Sequence, residues 1–316
     1  MKKIILLLPL AIFLLLPGMV FGQAKVGTAG AQFLEIGVSA RAIGMGEAFL
    51  GVADDASALY YNPGALSLLT QKEVVFTHVQ YPADIQYEFV GFVMPMPRLA
   101  GSFGAAFYAL HTDNMPVTNY KFPRGNGQTW TSRDYAMGLS YSAGLTDRFS
   151  FGITVKYITQ LLAAYRATGW AMDLGTYYDT GFRNFKICMA ISNFGPDMAF
   201  VSEEYPLPID FRFGTAIDVI QTESSRLTAA VQGSHPNDNL EKYNAGLEYW
   251  FNDMFALRFG KKFNYDYYDK GQIGDGLTFG AGAKLNFSSY RLSVDYAYQD
   301  LGYLDSVNRF TFGIRF

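Results

Sequence analysis

Val307-Asn308-Arg309-Phe310-Thr311-Phe312-Gly313-Ile314-Arg315-Phe316 is the stretch that decides the fold. Phe310, Phe312, Ile314 and Phe316 share one parity, and Arg309, Thr311, Gly313 and Arg315 share the other, which is the period of a strand with two unlike faces. The alternation recurs upstream. Phe211, Phe213, Thr215, Ile217 and Val219 oppose Asp210, Arg212, Gly214, Ala216 and Asp218, and Leu277, Phe279, Ala281, Ala283, Leu285 and Phe287 oppose Thr278, Gly280, Gly282, Lys284 and Asn286. From residue 73 onward the pattern predicts strands near 73–80, 84–94, 100–111, 132–145, 148–162, 167–179, 184–194, 210–220, 224–235, 241–250, 254–263, 276–287, 289–299 and 307–316. That makes fourteen, with lengths that fit the roughly 9–11 residues of a tilted membrane strand.

Connections after even-numbered strands are short, such as Thr146-Asp147, Gln221-Thr222-Glu223 and Ser288, whereas 112–131, 195–209 and 264–275, after odd-numbered strands, are long. Short periplasmic turns and long extracellular loops are the mark of an outer-membrane barrel, and a soluble sandwich has no reason to sort its loops this way. The charges Lys156, Asp173, Lys186, Arg226, Glu248, Arg258 and Asp295 all fall on the polar parity, so the polar face is the lumen. A Lys or Arg at the lipid midplane costs about 2–4 kcal/mol and about 0–1 near the interface; Lys261, the exception, sits at the extracellular end of its strand. The strand at 84–94 fits least well. Reading Asp84, Gln86 and Glu88 as inward also carries Val90, Phe92 and Met94 inward, so either its lower half packs on something apolar in the lumen or its register is shifted.

Composition agrees. Half of the 316 residues are hydrophobic, 16% are aromatic and 17% are charged, below the roughly 25% of soluble domains. After the N-terminus no run approaches the ~20 apolar residues of a spanning helix. A net charge of −3 leaves no electrostatic footprint for nucleic acid. One cysteine, Cys188, excludes a disulfide framework or thiolate cluster, and His78, His111 and His235 lack metal-ligand spacing. No residue is marked as catalytic, and no cofactor or metal is expected.

Three segments follow. Residues 1–22 read as a signal peptide, with Lys2 and Lys3 before the apolar run Ile4–Leu16 and cleavage near Gly22. Residues 23–72, rich in Ala and Gly, do not alternate and read as a plug. Residues 73–316 form the barrel. Gly104, Gly138, Gly152, Gly175, Gly214, Gly246, Gly260, Gly280, Gly282 and Gly313 fall on the inward parity, which marks either close approach of a filling backbone or strong coiling of the wall. In the plug, Asp54-Asp55 before Ala56–Tyr61 reads most simply as a capped helix start. Asn62 caps the next turn, with Pro63 at its first position and Gly64 following. A gate or ligand site at these residues is the sharper alternative.

Three runs in this segment resemble a known family: Gly30-Ala31-Gln32-Phe33-Leu34-Glu35-Ile36-Gly37-Val38, Ala40-Arg41-Ala42-Ile43-Gly44-Met45-Gly46-Glu47-Ala48-Phe49, and Ala53-Asp54-Asp55-Ala56-Ser57-Ala58-Leu59-Tyr60-Tyr61-Asn62-Pro63-Gly64. They look like the PorV/PorQ family, outer-membrane barrels with the architecture of the fatty-acid transporter FadL. The final alternation ending in Phe316 likewise resembles the signal that barrel insertion recognises. FadL-type hatches carry Asn-Pro-Ala, matched here by Asn62-Pro63 with Gly64 in place of alanine. The resemblance implies a role in type IX secretion, either binding the C-terminal signal domains of exported cargo or anchoring a surface attachment complex. The alternative it leaves open is transport of hydrophobic small molecules.

Within that frame, Arg212, Asp218, Glu248, Arg258 and Asp295 are candidates for a lumen network that holds the plug, or for a polar pathway. Phe122, Trp130, Phe200 and Tyr205 in the long loops are candidate partner-binding residues. They equally suit an interfacial girdle or loops folded over the mouth.

Overall fold

The computed structural model describes residues 26–263, 276–302 and 306–316. The segment 1–22 read as a signal peptide and the loop 264–275 lie outside the described residues. Fourteen antiparallel strands close into one barrel: β1 Glu73–Tyr81, β2 Ile85–Met96, β3 Gly101–Thr112, β4 Ser132–Gly144, β5 Phe149–Leu162, β6 Tyr165–Asp179, β7 Lys186–Phe194, β8 Asp210–Gln221, β9 Ser225–Pro236, β10 Lys242–Phe251, β11 Phe255–Phe263, β12 Leu277–Asn286, β13 Arg291–Asp300 and β14 Ser306–Arg315. Each pairs with its sequence neighbour, and β1 closes on β14 with Glu73 opposite Arg315 and His78 opposite Phe310. Closure leaves no unpaired edge in the bilayer, which lipid demands of any spanning sheet.

The strand parity holds in the wall. On β14, Arg309, Thr311 and Gly313 are buried in the interior while Phe310, Phe312 and Ile314 are exposed on the outside. On β8, Arg212, Gly214, Ala216 and Asp218 face inward. No helix among the described residues is long and apolar enough to span a membrane.

β2 corrects the reading of its strand. Tyr87, Phe89, Gly91 and Val93 are the buried, inward residues, whereas Glu88, Val90, Phe92 and Met94 face out. No register shift is involved, since β2 pairs regularly with β1 and β3. The interior is apolar here because the plug's core meets the wall: Tyr60 of the plug lies 6.4 Å from Tyr108 of β3, itself 5.1 Å from Phe89, between ring centroids, and a Cβ at Gly91 would lie 3.0 Å from Leu59. The strand therefore has its polar side outward near the extracellular end. Glu88 there sits 3.3 Å from both His78 and His111, so these two histidines are not isolated. His235 likewise meets Glu241 at 3.3 Å.

Residues 26–72 run through the lumen as short turns and helices: Gln32–Glu35, Ala40–Gly44, Ala58–Tyr61 and Pro63–Leu68. None is long enough to be stable alone in water. Tertiary packing holds them: Val38, Phe49, Leu50, Leu59 and Leu66 are at most 1% exposed, and each such burial stabilises by about 1.5–3 kcal/mol.

Candidate functional site

Two docking points fix the plug to the wall. The first is the turn Asn62-Pro63-Gly64. Asn62 Oδ1 accepts from the Gly64 amide at 3.0 Å, as an N-cap does, and its Nδ2 donates to the carbonyls of Thr176 at 3.1 Å and Leu50 at 3.3 Å. The Gly64 carbonyl accepts from Ser150 Oγ at 2.7 Å and Ser142 Oγ at 3.1 Å, both from the wall. Such approach needs bare backbone on both sides. A Cβ at Gly152 would lie 2.2 Å from the Pro63 oxygen, one at Gly175 2.4 Å from Asn62 Oδ1, and one at Gly64 2.7 Å from the Gly175 oxygen. Gly64 in place of the alanine of FadL-type hatches is therefore required by the docking itself.

The second point is electrostatic. Arg41, 3% exposed, pairs with Glu248 through two hydrogen bonds of 2.7 and 2.8 Å, with Asp55 at 2.9 Å and with Asp54. Glu248 also accepts from Arg258 at 2.8 Å, and Arg258 reaches Asp295 at 2.7 Å. Trp250 lies under this chain, with Lys284 3.8 Å, Arg258 5.3 Å and Arg41 5.9 Å from its ring centroid, in reach of cation–π attraction.

The candidate residues are thus distributed unevenly. Glu248, Arg258 and Asp295 join one chain of ion pairs with Arg41. Arg212 stands apart toward the extracellular end, 3.6 Å from Asp210 and donating to the Tyr60 carbonyl of the plug at 3.3 Å. Asp218, toward the periplasmic end, accepts from Thr228 at 2.6 Å and Asn184 at 2.8 Å. Asp54 and Asp55 do more than start a helix. Asp55 Oδ1 accepts from the Ser57 amide at 2.9 Å, two residues on, as an N-cap does at the start of the turns leading into the helix Ala58–Tyr61, and both carboxylates also turn to Arg41. A buried guanidinium without counter-charges costs several kcal/mol, which outweighs the ~1 kcal/mol of an N-cap. Arg41 itself carried one visible signal, a lone cation in a run of Ala and Gly.

Above the plug, a cavity of about 310 Å³ lies toward the extracellular mouth, lined by plug and wall side chains including Glu35, Glu47, Arg212, Lys242, Lys262 and Arg309. Burial pushes the Glu35 carboxyl up to about 7 against the opposing pull of Lys242. For Glu47, burial also pushes upward, but the Lys262 ammonium at 2.6 Å outweighs it and holds the carboxyl below its usual range.

The two described long loops differ. The loop 195–209 folds over the mouth: Met198 and Leu207 are buried, the Pro206 carbonyl accepts from the Gly30 amide of the plug at 2.9 Å, and Phe200 packs half-buried on the core. Tyr205 stays exposed. The loop 113–131 instead stands out as a two-stranded ribbon, Met115 opposite Trp130 and Pro116 opposite Thr129. Its tip turns on Asn119, whose Oδ1 accepts from the Lys121 and Phe122 amides at 2.9 Å each. Tyr120 and Phe122 are exposed at 89% and 53%, and Trp130 is half-buried at the base.

A closed fourteen-strand wall with an apolar exterior, short turns at one end, and a lumen filled by its own N-terminal segment defines an outer-membrane barrel of the plugged kind. The family model for "Type IX secretion system protein PorV" matches residues 21–235. The chain belongs to that family, and is an outer-membrane protein associated with type IX secretion. Among solved structures it is similar in fold to the toluene transporter TbuX of Ralstonia pickettii (14% identity, TM-score 0.55, 89% of this chain and 98% of that one). It is also similar to the toluene transporter TodX of Pseudomonas putida (13%, 0.56, 88% and 97%) and to a FadL homologue of Pseudomonas aeruginosa (10%, 0.51, 88% and 97%). No curated protein sequence matches. Barrels of these kinds are generally non-enzymatic, and type IX association implies protein partners.

Proposed function

We propose that this barrel is a docking protein rather than a conduit: it presents its extracellular face to the C-terminal signal domain of a type IX cargo or to a surface attachment protein, with no catalytic step. The observation that carries this reading is the contrast between a pinned plug and the ribbon 113–131. The plug is held by backbone-to-backbone contacts and a buried chain of ion pairs. The ribbon exposes Tyr120 and Phe122 beside Arg124, aromatic and arginine side chains of the kind enriched at protein interfaces. Phe200 is less available, because it packs on the core, so Tyr205 and Phe122 are the candidates we retain for contact. The charged lining of the mouth cavity also suits polypeptide better than a hydrocarbon.

The test is a pull-down of a tagged cargo C-terminal domain from solubilised outer membrane. Trimming residues 116–129 to a short turn should abolish capture while leaving a folded barrel. Undiminished capture by the trimmed protein would sink the reading. Uptake of toluene or fatty acid by liposomes holding the purified barrel would favour the transporter instead.

A further inference from the structure

Among the described residues, each cation lining the mouth cavity but one faces a carboxylate. Lys262 meets Glu47 at 2.6 Å, Lys242 meets Glu35 at 3.7 Å, Arg212 meets Asp210 at 3.6 Å, and Lys156 meets Asp173 at 2.7 Å. Arg309 is the exception. It is 2% exposed, lines the cavity from β14, and has no ion pair among the described residues. Its Nη2 donates to Tyr81 Oη at 2.8 Å, while Nε and Nη1 have no hydrogen-bond partner among the described residues. A guanidinium carries five N–H donors, so most of this one's capacity is unspent. Glu47, whose charge acts on Arg309 without an ion pair between them, is hydrogen-bonded to Lys262. Leaving a buried charge uncompensated is costly, and an incoming anion removes that cost.

We propose that this cavity binds a carboxylate, with Arg309 as its anchor, and that the carboxylate is carried by a polypeptide segment entering from the extracellular mouth. The cavity is too small for a folded domain but suits a side chain or chain end. Its opening toward the same side as the ribbon 113–131 makes one partner able to engage both. A planar carboxylate also matches the fork geometry of a guanidinium, which gives short, strong charge-assisted hydrogen bonds. This inference rests on the protein-partner reading above and deepens it.

The experiment titrates the purified full-length barrel in micelles with three peptides, followed by ligand-detected NMR. Acetyl-Gly-Ser-Glu-Ser-amide supplies a side-chain carboxylate, acetyl-Gly-Ser-Gly-Ser a terminal one, and acetyl-Gly-Ser-Gln-Ser-amide neither. At least one carboxylate peptide should bind about tenfold or more tighter than the Gln peptide, as expected of a single charge-assisted pair. The tighter of the two identifies the source of the carboxylate. Arg309→Gln should erase the difference and Arg309→Lys should retain part of it. Equal binding of acid and Gln peptides to the wild-type barrel, no binding by any of the three, or undiminished discrimination by Arg309→Gln would overturn the proposal. The wild-type comparison stands even where a variant folds poorly. If cargo capture survives loop trimming, the partner reading falls while peptide discrimination is untouched. If the peptides are not discriminated but capture needs the loop, this inference alone falls.

Discussion

Arg41 in the plug grips Glu248 in the wall through two parallel hydrogen bonds, Nε to Oε1 at 2.7 Å and Nη2 to Oε2 at 2.8 Å. The contact joins residues 207 positions apart and is buried on both sides. Replacing such a pair by apolar groups is often neutral, whereas removing one partner strands the other. Arg41→Ala should therefore lower stability by about 3–5 kcal/mol, while Arg41→Ala combined with Glu248→Ala should lose less than the sum of the two single changes, which counts their shared contact twice. Urea unfolding in micelles, followed by tryptophan fluorescence, reads both. A loss within the ~0–1 kcal/mol of a surface pair would contradict the assignment.

The Asn62-Pro63-Gly64 turn makes a steric prediction. Gly152→Ala and Gly64→Ala each place a methyl against backbone, 2.2 Å and 2.7 Å away, and overpacking of this sort costs about 1–3 kcal/mol. Gly138→Ala is the control, because the nearest atoms to its new Cβ belong to the Thr154, Lys156 and Ala106 side chains at 3.3, 3.4 and 3.9 Å. Thermal unfolding midpoints of the three variants should separate into two clear losses and one small change. Equal midpoints would mean the plug does not seat against Gly152 and Gly175.

Glu35 gives the plug a pH dependence. Burial raises its folded value from 4.5 to about 7, with Lys242 opposing. Between those values the folded chain holds a proton that the unfolded chain has released. The associated stability is thus complete below about 4.5 and is lost as pH rises through about 7. A series of unfolding midpoints across that range should fall with pH in the wild type and fall less steeply in Glu35→Gln. Identical slopes would sink the assignment.

Much of the architecture was legible because one physical rule governs most of the chain: lipid outside, polar lumen inside, period two. Fourteen strands, the loop sorting and the inward glycines all follow from it. The rule inverts at β2, where Tyr87, Phe89 and Val93 face a plug whose own surface is apolar, and where Glu88 finds His78 and His111 outside. Local sequence has no record of what fills the lumen opposite a given strand. The plug residues were less legible for the same reason. Asp54 and Asp55 read as cap residues, with nothing local to show the buried Arg41 beside them, and Ser142 and Ser150 look like ordinary wall positions until the Gly64 carbonyl arrives. Arg309 reads as one more polar-parity residue, and only its surroundings reveal that it has no ion pair among the described residues.

The most direct measurement is the affinity of a type IX cargo C-terminal domain for the barrel in lipid nanodiscs, with and without the ribbon 116–129. Saturable binding to the intact barrel that weakens by about tenfold or more, roughly 1.4 kcal/mol, on trimming is the predicted result. Equal affinity for the intact and trimmed barrels, with both folded, would contradict the account.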